Sequence, residues 1–188
     1  QLGLKGDIGK TFYSLYYKYR DVDFRYKHLN VDTVSSVDSN IGESYGGVDI
    51  RFGNDSISYI RGYAEYQQGG NFKLGGELRN NWINASGETQ QYAPAYIYQA
   101  YRGTHDLWVN DFEPGITTKI HANLNLKLGQ FVFKPGLSNT LLSNYLYFEE
   151  DENASDQTVL PQQASSDINI LSPELGIELQ FLKNFTFK

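Results

Sequence analysis

From Ile116 to Leu128 the chain alternates at nearly every step: Ile120, Ala122, Leu124 and Leu126 interleave with Lys119, His121, Asn123, Asn125 and Lys127. A β-strand points successive side chains to opposite faces, so it converts this segment into one oily surface and one ionic surface. A row of Lys, His and Asn does not suit a protein core. It suits the wall of a membrane barrel, where one side of each strand meets lipid and the other meets water.

The same period recurs along the chain. Leu2, Leu4 and Ile8 share a face, and after a turn at Gly9-Lys10 so do Tyr13, Leu15, Tyr17 and Tyr19. Val48, Ile50 and Phe52 lead to a turn at Asn54-Asp55-Ser56. Then Ile60, Gly62, Ala64 and Tyr66 oppose Tyr59, Arg61, Tyr63 and Glu65. Past a connection from Gln67 to Gly70, Phe72, Leu74, Gly76 and Leu78 oppose Lys73, Gly75, Glu77 and Arg79. After Gly129-Gln130 a strand carries Phe131, Phe133, Leu137 and Leu141 on toward Tyr145 and Tyr147. A last one sets Leu175, Ile177, Leu179 and Phe181 against Glu174, Gly176, Glu178 and Gln180, before a turn at Lys183-Asn184. No segment holds a 3.6-residue period over ten or more positions, so the pattern predicts an all-β antiparallel fold.

Long connections are expected at His28 to Tyr45, Ile83 to Gly115 and Glu149 to Ser166, all rich in Asn, Asp, Ser, Gly and Gln. Short turns on one side and long polar loops on the other is the asymmetry of outer-membrane barrels. Keeping the short turns on one side requires an odd number of crossings between Trp82 and Ile116. The first candidate for a single crossing is Asp106 to Phe112, with Tyr96 to Tyr101 in reserve. A structureless loop of that length would itself be unusual.

Composition fits this picture. The chain has 188 residues, 20% charged, with mean hydropathy −0.49, and no run approaches the roughly 18 consecutive apolar residues of a spanning helix. Strands that are only half apolar average out to this value. The fifteen Tyr and eleven Phe exceed the needs of an ordinary core, and Tyr is at home where membrane meets water. A net charge of −6, with no Lys/Arg stripe, argues against a nucleic-acid partner. The absence of Cys leaves the redox compartment open. The stretch starting at Gln1 has no signal-peptide pattern, and Leu2 and Phe187 both fall within strand alternations. Residues 1–188 are therefore expected to be one barrel domain, part of a longer polypeptide.

The candidate pore-lining residues are Arg61, Glu65, Lys73, Glu77, Arg79, Lys119, His121, Asn123, Lys127 and Glu178, with Glu174 beside them. In a closed barrel they would set the charge and width of the lumen; in an open sheet they would form an ordinary solvated face. Lys73, Arg79, Lys119 and Lys127 would make part of such a lumen basic and tilt it toward anions. Aromatics near strand ends are candidates for the membrane interface: Tyr13, Tyr17 and Tyr19 (with Tyr16), Trp82, Trp108 (with Phe112), and Tyr145 and Tyr147 (with Phe148). The competing reading is aromatic core packing.

Candidate chemistry is thin. Glu149-Glu150-Asp151-Glu152, with Asn153, Ser155 and Asp156, offers hard oxygens without the spaced calcium-loop pattern, and reads as a solvated acidic loop. His28, His105 and His121 lack metal-ligand spacing. His105-Asp106 is the local acid-base pair, and no nucleophile motif accompanies it. The expectation is no enzyme, no catalytic residue, no metal and no cofactor.

One stretch carries a family resemblance. Tyr92-Ala93-Pro94-Ala95-Tyr96-Ile97-Tyr98-Gln99-Ala100-Tyr101-Arg102-Gly103-Thr104-His105-Asp106-Leu107-Trp108-Val109-Asn110-Asp111-Phe112 resembles a run in the putative porins of Bacteroidetes. Asn144-Tyr145-Leu146-Tyr147-Phe148 is similar to the ending of a later strand in that family, and Val159-Leu160-Pro161-Gln162-Gln163 to the loop that follows. The resemblance spans about Tyr92 to Gln163. It implies an outer-membrane barrel of a Gram-negative bacterium, in a family whose members are longer than this chain, and it defines no substrate.

Together these readings predict an antiparallel transmembrane β-barrel, or a large segment of one, through which small solutes diffuse passively. Its partners would be outer-membrane lipid, the solutes and other envelope proteins. Two alternatives stay open: a structural barrel subunit of a larger outer-membrane assembly with a plugged or narrow lumen, and a soluble carbohydrate-binding β-sandwich.

Overall fold

The computed structural model describes residues 1–29, 34–53, 58–102, 107–150, 159–182 and 185–187. The expected turns at Asn54-Asp55-Ser56 and Lys183-Asn184, the pair His105-Asp106 and most of the acidic run after Glu150 lie outside these residues.

Ten strands form one antiparallel path: β1 (Leu2–Ile8), β2 (Thr11–Leu29), β3 (Val34–Gly53), β4 (Tyr59–Gln67), β5 (Phe72–Arg79), β6 (Ile83–Tyr92), β9 (Gly115–Leu124), β11 (Phe131–Ser143), β14 (Ile168–Leu182) and β15 (Phe185–Phe187). β10 (Leu126–Leu128) continues β9 alongside β11. The break between β9 and β10 faces Lys134 and Pro135 of β11, and Pro135 has no N–H to give the ladder. The chain forms all-β antiparallel sheets. Among the described residues β1 and β15 are the two edges of the main sheet, and no pairing closes it on itself.

Turn chemistry explains the short connections. Gly9 (φ 62°) and Gly129 (φ 63°) each open a two-residue hairpin turn. With no left-handed residue after them, these are type II′ turns, which call for Gly at the first central position. Between β5 and β6 the Asn80 side-chain oxygen accepts from the backbone N–H groups of Trp82 (2.8 Å) and Ile83 (2.9 Å), an Asx turn. These turns lie on one side of the sheet. The β4–β5 turn and two large insertions lie on the other.

The first insertion holds the single-turn α1 (Tyr96–Gln99) and a small hairpin of β7 (Ala100–Arg102) with β8 (Leu107–Val109). The second holds the hairpin of β12 (Leu146–Glu150) with β13 (Val159–Gln163). The crossing expected between Trp82 and Ile116 is therefore single, as the parity argument requires, but it is β6 at Ile83–Tyr92. Asp106 to Phe112 and Tyr96 to Tyr101 belong to the insertion. Its apolar side explains the misplacement: Ala85, Gly87, Thr89 and Gln91 are too small or too polar to read as oily. The His28 to Tyr45 segment is likewise mostly strand, in a β2–β3 hairpin paired from Thr11↔Phe52 to Leu29↔Val34. The strand after Gly129 ends at Ser143, because Asn144 takes a left-handed φ of 56° and sends Tyr145 and Tyr147 into the second insertion.

Directly opposed residues in an antiparallel ladder share a face, so the register assigns both faces across the sheet. One row reads Leu4, Leu15, Val48, Ala64, Leu74, Thr89, Thr118, Leu141; another reads Ile8, Thr11, Phe52, Ile60, Leu78, Ala85, Ala122, Leu137. Among the described residues no second layer covers this apolar face. Leu2 is 77% exposed and Ile8 72%, and among the described residues no Ala, Val, Ile, Leu or aromatic side chain is buried.

Candidate functional site: the polar face of the sheet

Every expected pore-lining position, from Arg61 and Glu65 through Lys73, Glu77, Arg79, Lys119, His121, Asn123 and Lys127 to Glu178, falls on the face opposite the apolar one. Glu174 joins them. Tyr59 and Tyr63 share the face of Arg61 and Glu65, as the alternation expects, and between β2 and β6 the structure adds Phe12, Tyr16, Lys18, Asp49, Arg51 and Glu88 to it.

A repeated arrangement organises this region. Tyr16, Gly47 and Glu65 lie in one register row on β2, β3 and β4. The Tyr16 ring lies flat over Gly47, where any Cβ would overlap it, and its hydroxyl donates to Glu65 Oε2 at 2.7 Å. Lys18 Nζ donates to the same oxygen at 2.5 Å. Two strands along, Tyr63, Gly75 and Glu88 repeat the device on β4, β5 and β6: the ring covers Gly75, the Tyr63 hydroxyl donates to Glu88, and Lys73 Nζ lies 2.9 Å from the same carboxylate oxygen. In both rows a glycine lets a tyrosine reach across one strand to a carboxylate on the next, and a lysine completes the charge pair.

Arginines dominate the short-turn end of the same face. Arg51 is directly opposite Arg61, and Arg61 directly opposite Glu77. Arg61 grips Asp49 through Nε at 3.0 Å and Nη2 at 2.5 Å. Glu77 Oε1 accepts the Tyr59 hydroxyl at 2.6 Å. Arg51 instead lies over two rings, its guanidinium carbon 5.7 Å from the centre of Phe12 and 5.9 Å from that of Tyr59. Phe12, Asp49, Arg51, Tyr59, Arg61 and Arg79 line a recess of about 340 Å³.

Beyond β6 the polar face changes character. Lys119 faces Thr140, His121 faces Ser138 and Asn123 faces Gly136; Lys134 and Glu178 form the ion pair of this region, at 2.5 Å. His105 lies outside the described residues.

The interface candidates divide. Tyr13, Tyr17 and Tyr19 stand on the apolar face, and Trp82, 72% exposed, stands in the short turn between β5 and β6. Tyr66 and Phe72, opposed on the same face near its long-loop edge, were not singled out from sequence, although their alternation with Glu65 and Lys73 was a sufficient signal. Trp108, Tyr145 and Tyr147 are placed apart from this face, in the two insertions. There Trp108 stacks on Tyr101 (4.6 Å) and meets Phe148 edge-on (6.0 Å), while Tyr98 stacks on Phe148 (5.0 Å). Gln163 clamps the insertions together, donating to the Glu113 carbonyl at 2.8 Å and accepting from the Glu113 N–H at 3.2 Å. The Trp108 indole N–H donates to the Ile97 carbonyl and the Asn110 amide to that of Tyr98. The residues that carry the family resemblance thus build this loop unit.

No curated protein and no solved structure matches the chain. The family of putative porins matches it over residues 3–188, and the chain belongs to that family.

Proposed function

We propose that this chain forms wall of a porin-like barrel in the outer membrane of a Gram-negative bacterium, with its apolar face in lipid and its polar face lining a lumen for passive passage of small solutes. The observation that carries this reading is the register: across the sheet, strand after strand turns one uncovered apolar face and one hydrated ionic face to opposite sides. A soluble sandwich would lay a second sheet on the apolar face, and among the described residues nothing covers it. Family membership supports the same reading and points to a non-enzymatic role.

Lipid offers no partner for the backbone of an edge strand, so in the membrane β1 and β15 have to be paired, by further strands or by a second copy. Tyr17, Tyr19, Tyr66 and Trp82 would stand at the membrane boundaries. The joined insertions would stand at one mouth. Their mutual clamping favours, as a second reading, a barrel narrowed at that end and serving a structural role.

Reconstitution separates these outcomes. The purified chain, folded to a β-rich state, should require detergent or lipid to remain dispersed and should produce discrete conductance steps in a planar bilayer. A folded protein that stays monomeric in buffer without detergent would refute the membrane reading, and stable insertion without conductance would favour the structural one.

A further inference from the structure

We propose that the recess bounded by Arg51, Arg61 and Arg79 is a binding site for a small oxyanion, of the class of inorganic phosphate and phosphate monoesters. The proposal rests on the lumen reading above and adds to it a specific station at the short-turn mouth.

Like charges stand side by side there. Register sets Arg51 against Arg61, a like-charge pairing that an antiparallel ladder ordinarily avoids. Of the carboxylates at hand, Asp49 is engaged by Arg61 and Glu77 accepts from Tyr59. Among the described residues Arg51 and Arg79 form no ion pair.

The way Arg51 is held is the second argument. Phe12 and Tyr59 lie 5.7 and 5.9 Å from its guanidinium carbon. Contact with a ring face engages the flat of a guanidinium and leaves its in-plane N–H donors available, and those donors match two oxygens of a phosphate. Tyr59 lies opposite Arg79 in the register and its ring centre is 5.9 Å from the Arg51 guanidinium carbon, so one residue neighbours both of the cations that form no ion pair among the described residues. The surrounding space, about 340 Å³, is at the small end of the range of ligand pockets.

The test is phosphate titration by calorimetry on the folded, detergent-solubilised chain, beside its Arg51→Gln, Arg79→Gln and Arg20→Gln variants. Circular dichroism would establish that each variant keeps the β-rich fold. Saturable phosphate binding is expected, weakened about tenfold or more by either substitution in the recess because each removes a charge-assisted hydrogen bond. Arg20 stands at the long-loop end of β2, away from the recess and paired with Glu43, and its substitution should leave binding within about twofold. Absence of phosphate binding by the folded chain, undiminished binding in both Arg51→Gln and Arg79→Gln, or equal weakening by Arg20→Gln would each overturn the site. The titration requires no conductance. A conducting barrel without phosphate binding overturns this site and leaves the pore standing, whereas arginine-dependent binding without conductance supports the site and removes the pore.

Discussion

The polar face of β2 to β6 and that of β9 to β14 follow the same alternation rule and yield different walls. The first is crowded: Tyr16, Tyr59 and Tyr63 donate to Glu65, Glu77 and Glu88, while Lys18, Lys73 and Arg61 pair with Glu65, Glu88 and Asp49. The second is sparse, with Thr140, Ser138 and Gly136 opposite Lys119, His121 and Asn123. Alternation decides which side is wet. What stands there depends on whether glycines on neighbouring strands leave room for flat aromatic rings. The crowded half holds its acids against partners one or two strands away, and the sparse half leaves space in front of short side chains.

The frame shared by both halves is the pair of faces, and breaking it should have the largest effect. Ile120→Arg places a charge in the middle of the apolar face, opposite Gly87 of β6, and should destabilise the folded protein in lipid by about 2 to 4 kcal/mol. His121→Arg, one residue away on the polar face, should be nearly neutral. Chemical unfolding from lipid vesicles measures both, and equal losses at the two positions would refute the assignment of faces in either half.

The next largest effect separates the halves. A methyl group on Gly75 would overlap the Tyr63 ring, so Gly75→Ala should displace the ring from Glu88 and cost about 1 to 3 kcal/mol, as overpacking does. On the sparse side, a methyl group on Gly176 meets the Lys134 Cβ at 3.3 Å, a far milder approach than that of the Tyr63 ring to Gly75, and Gly176→Ala should cost about 1 kcal/mol or less. Replacing Tyr63 with Ser should relieve most of the Gly75→Ala penalty in a double-mutant cycle. Additive losses would show that the ring does not rest on that glycine.

Charge gives a smaller, functional difference. The acids of the crowded half are engaged, while Arg51, Arg79, Lys119 and Lys127 form no ion pair among the described residues. Reversal potentials under a salt gradient should therefore show anion preference, reduced by Arg51→Gln and Arg79→Gln together, because fixed positive charge lowers the entry barrier for anions. Clear cation preference in the unmodified protein would contradict this balance.

These contrasts were only partly legible in the sequence. The two faces were, because alternation is a property of neighbouring residues: Lys119, His121 and Asn123 could be separated from Ile120, Ala122 and Leu124 without knowing any partner. The Tyr–Gly–Glu rows were not, because Tyr16 and Glu65 stand 49 positions apart and meet only through the registers of two ladders. β6 escaped notice because its apolar side closes with hydrogen bonds in place of oil: Thr89 pairs with Thr118 at 3.0 Å and Gln91 donates to the Gly70 carbonyl at 3.3 Å. The aromatics of the insertions carried a family signature, yet their periodicity could not show that they pack on one another and not along the sheet.

The smallest effect tests whether the ion pair of the sparse half matters at all. Lys134 and Glu178 approach to 2.5 Å with side chains 34% and 17% exposed, on adjacent strands, and among the described residues no tyrosine donates to that carboxylate. A pair still reached by water gains little over its solvated ions, so a double-mutant cycle of Lys134→Met and Glu178→Gln should give a coupling of about 0.2 to 1 kcal/mol. Raising the salt from 0.1 to 1 M shortens the screening length from about 10 to 3 Å, and most of that coupling should disappear. The Lys73–Glu88 pair, whose carboxylate also accepts from Tyr63, should retain more of its coupling, since a hydroxyl that holds the carboxylate in place is less sensitive to screening than an ion pair alone. Equal salt sensitivity at the two sites would mean that the tyrosine adds nothing to the crowded wall but bulk.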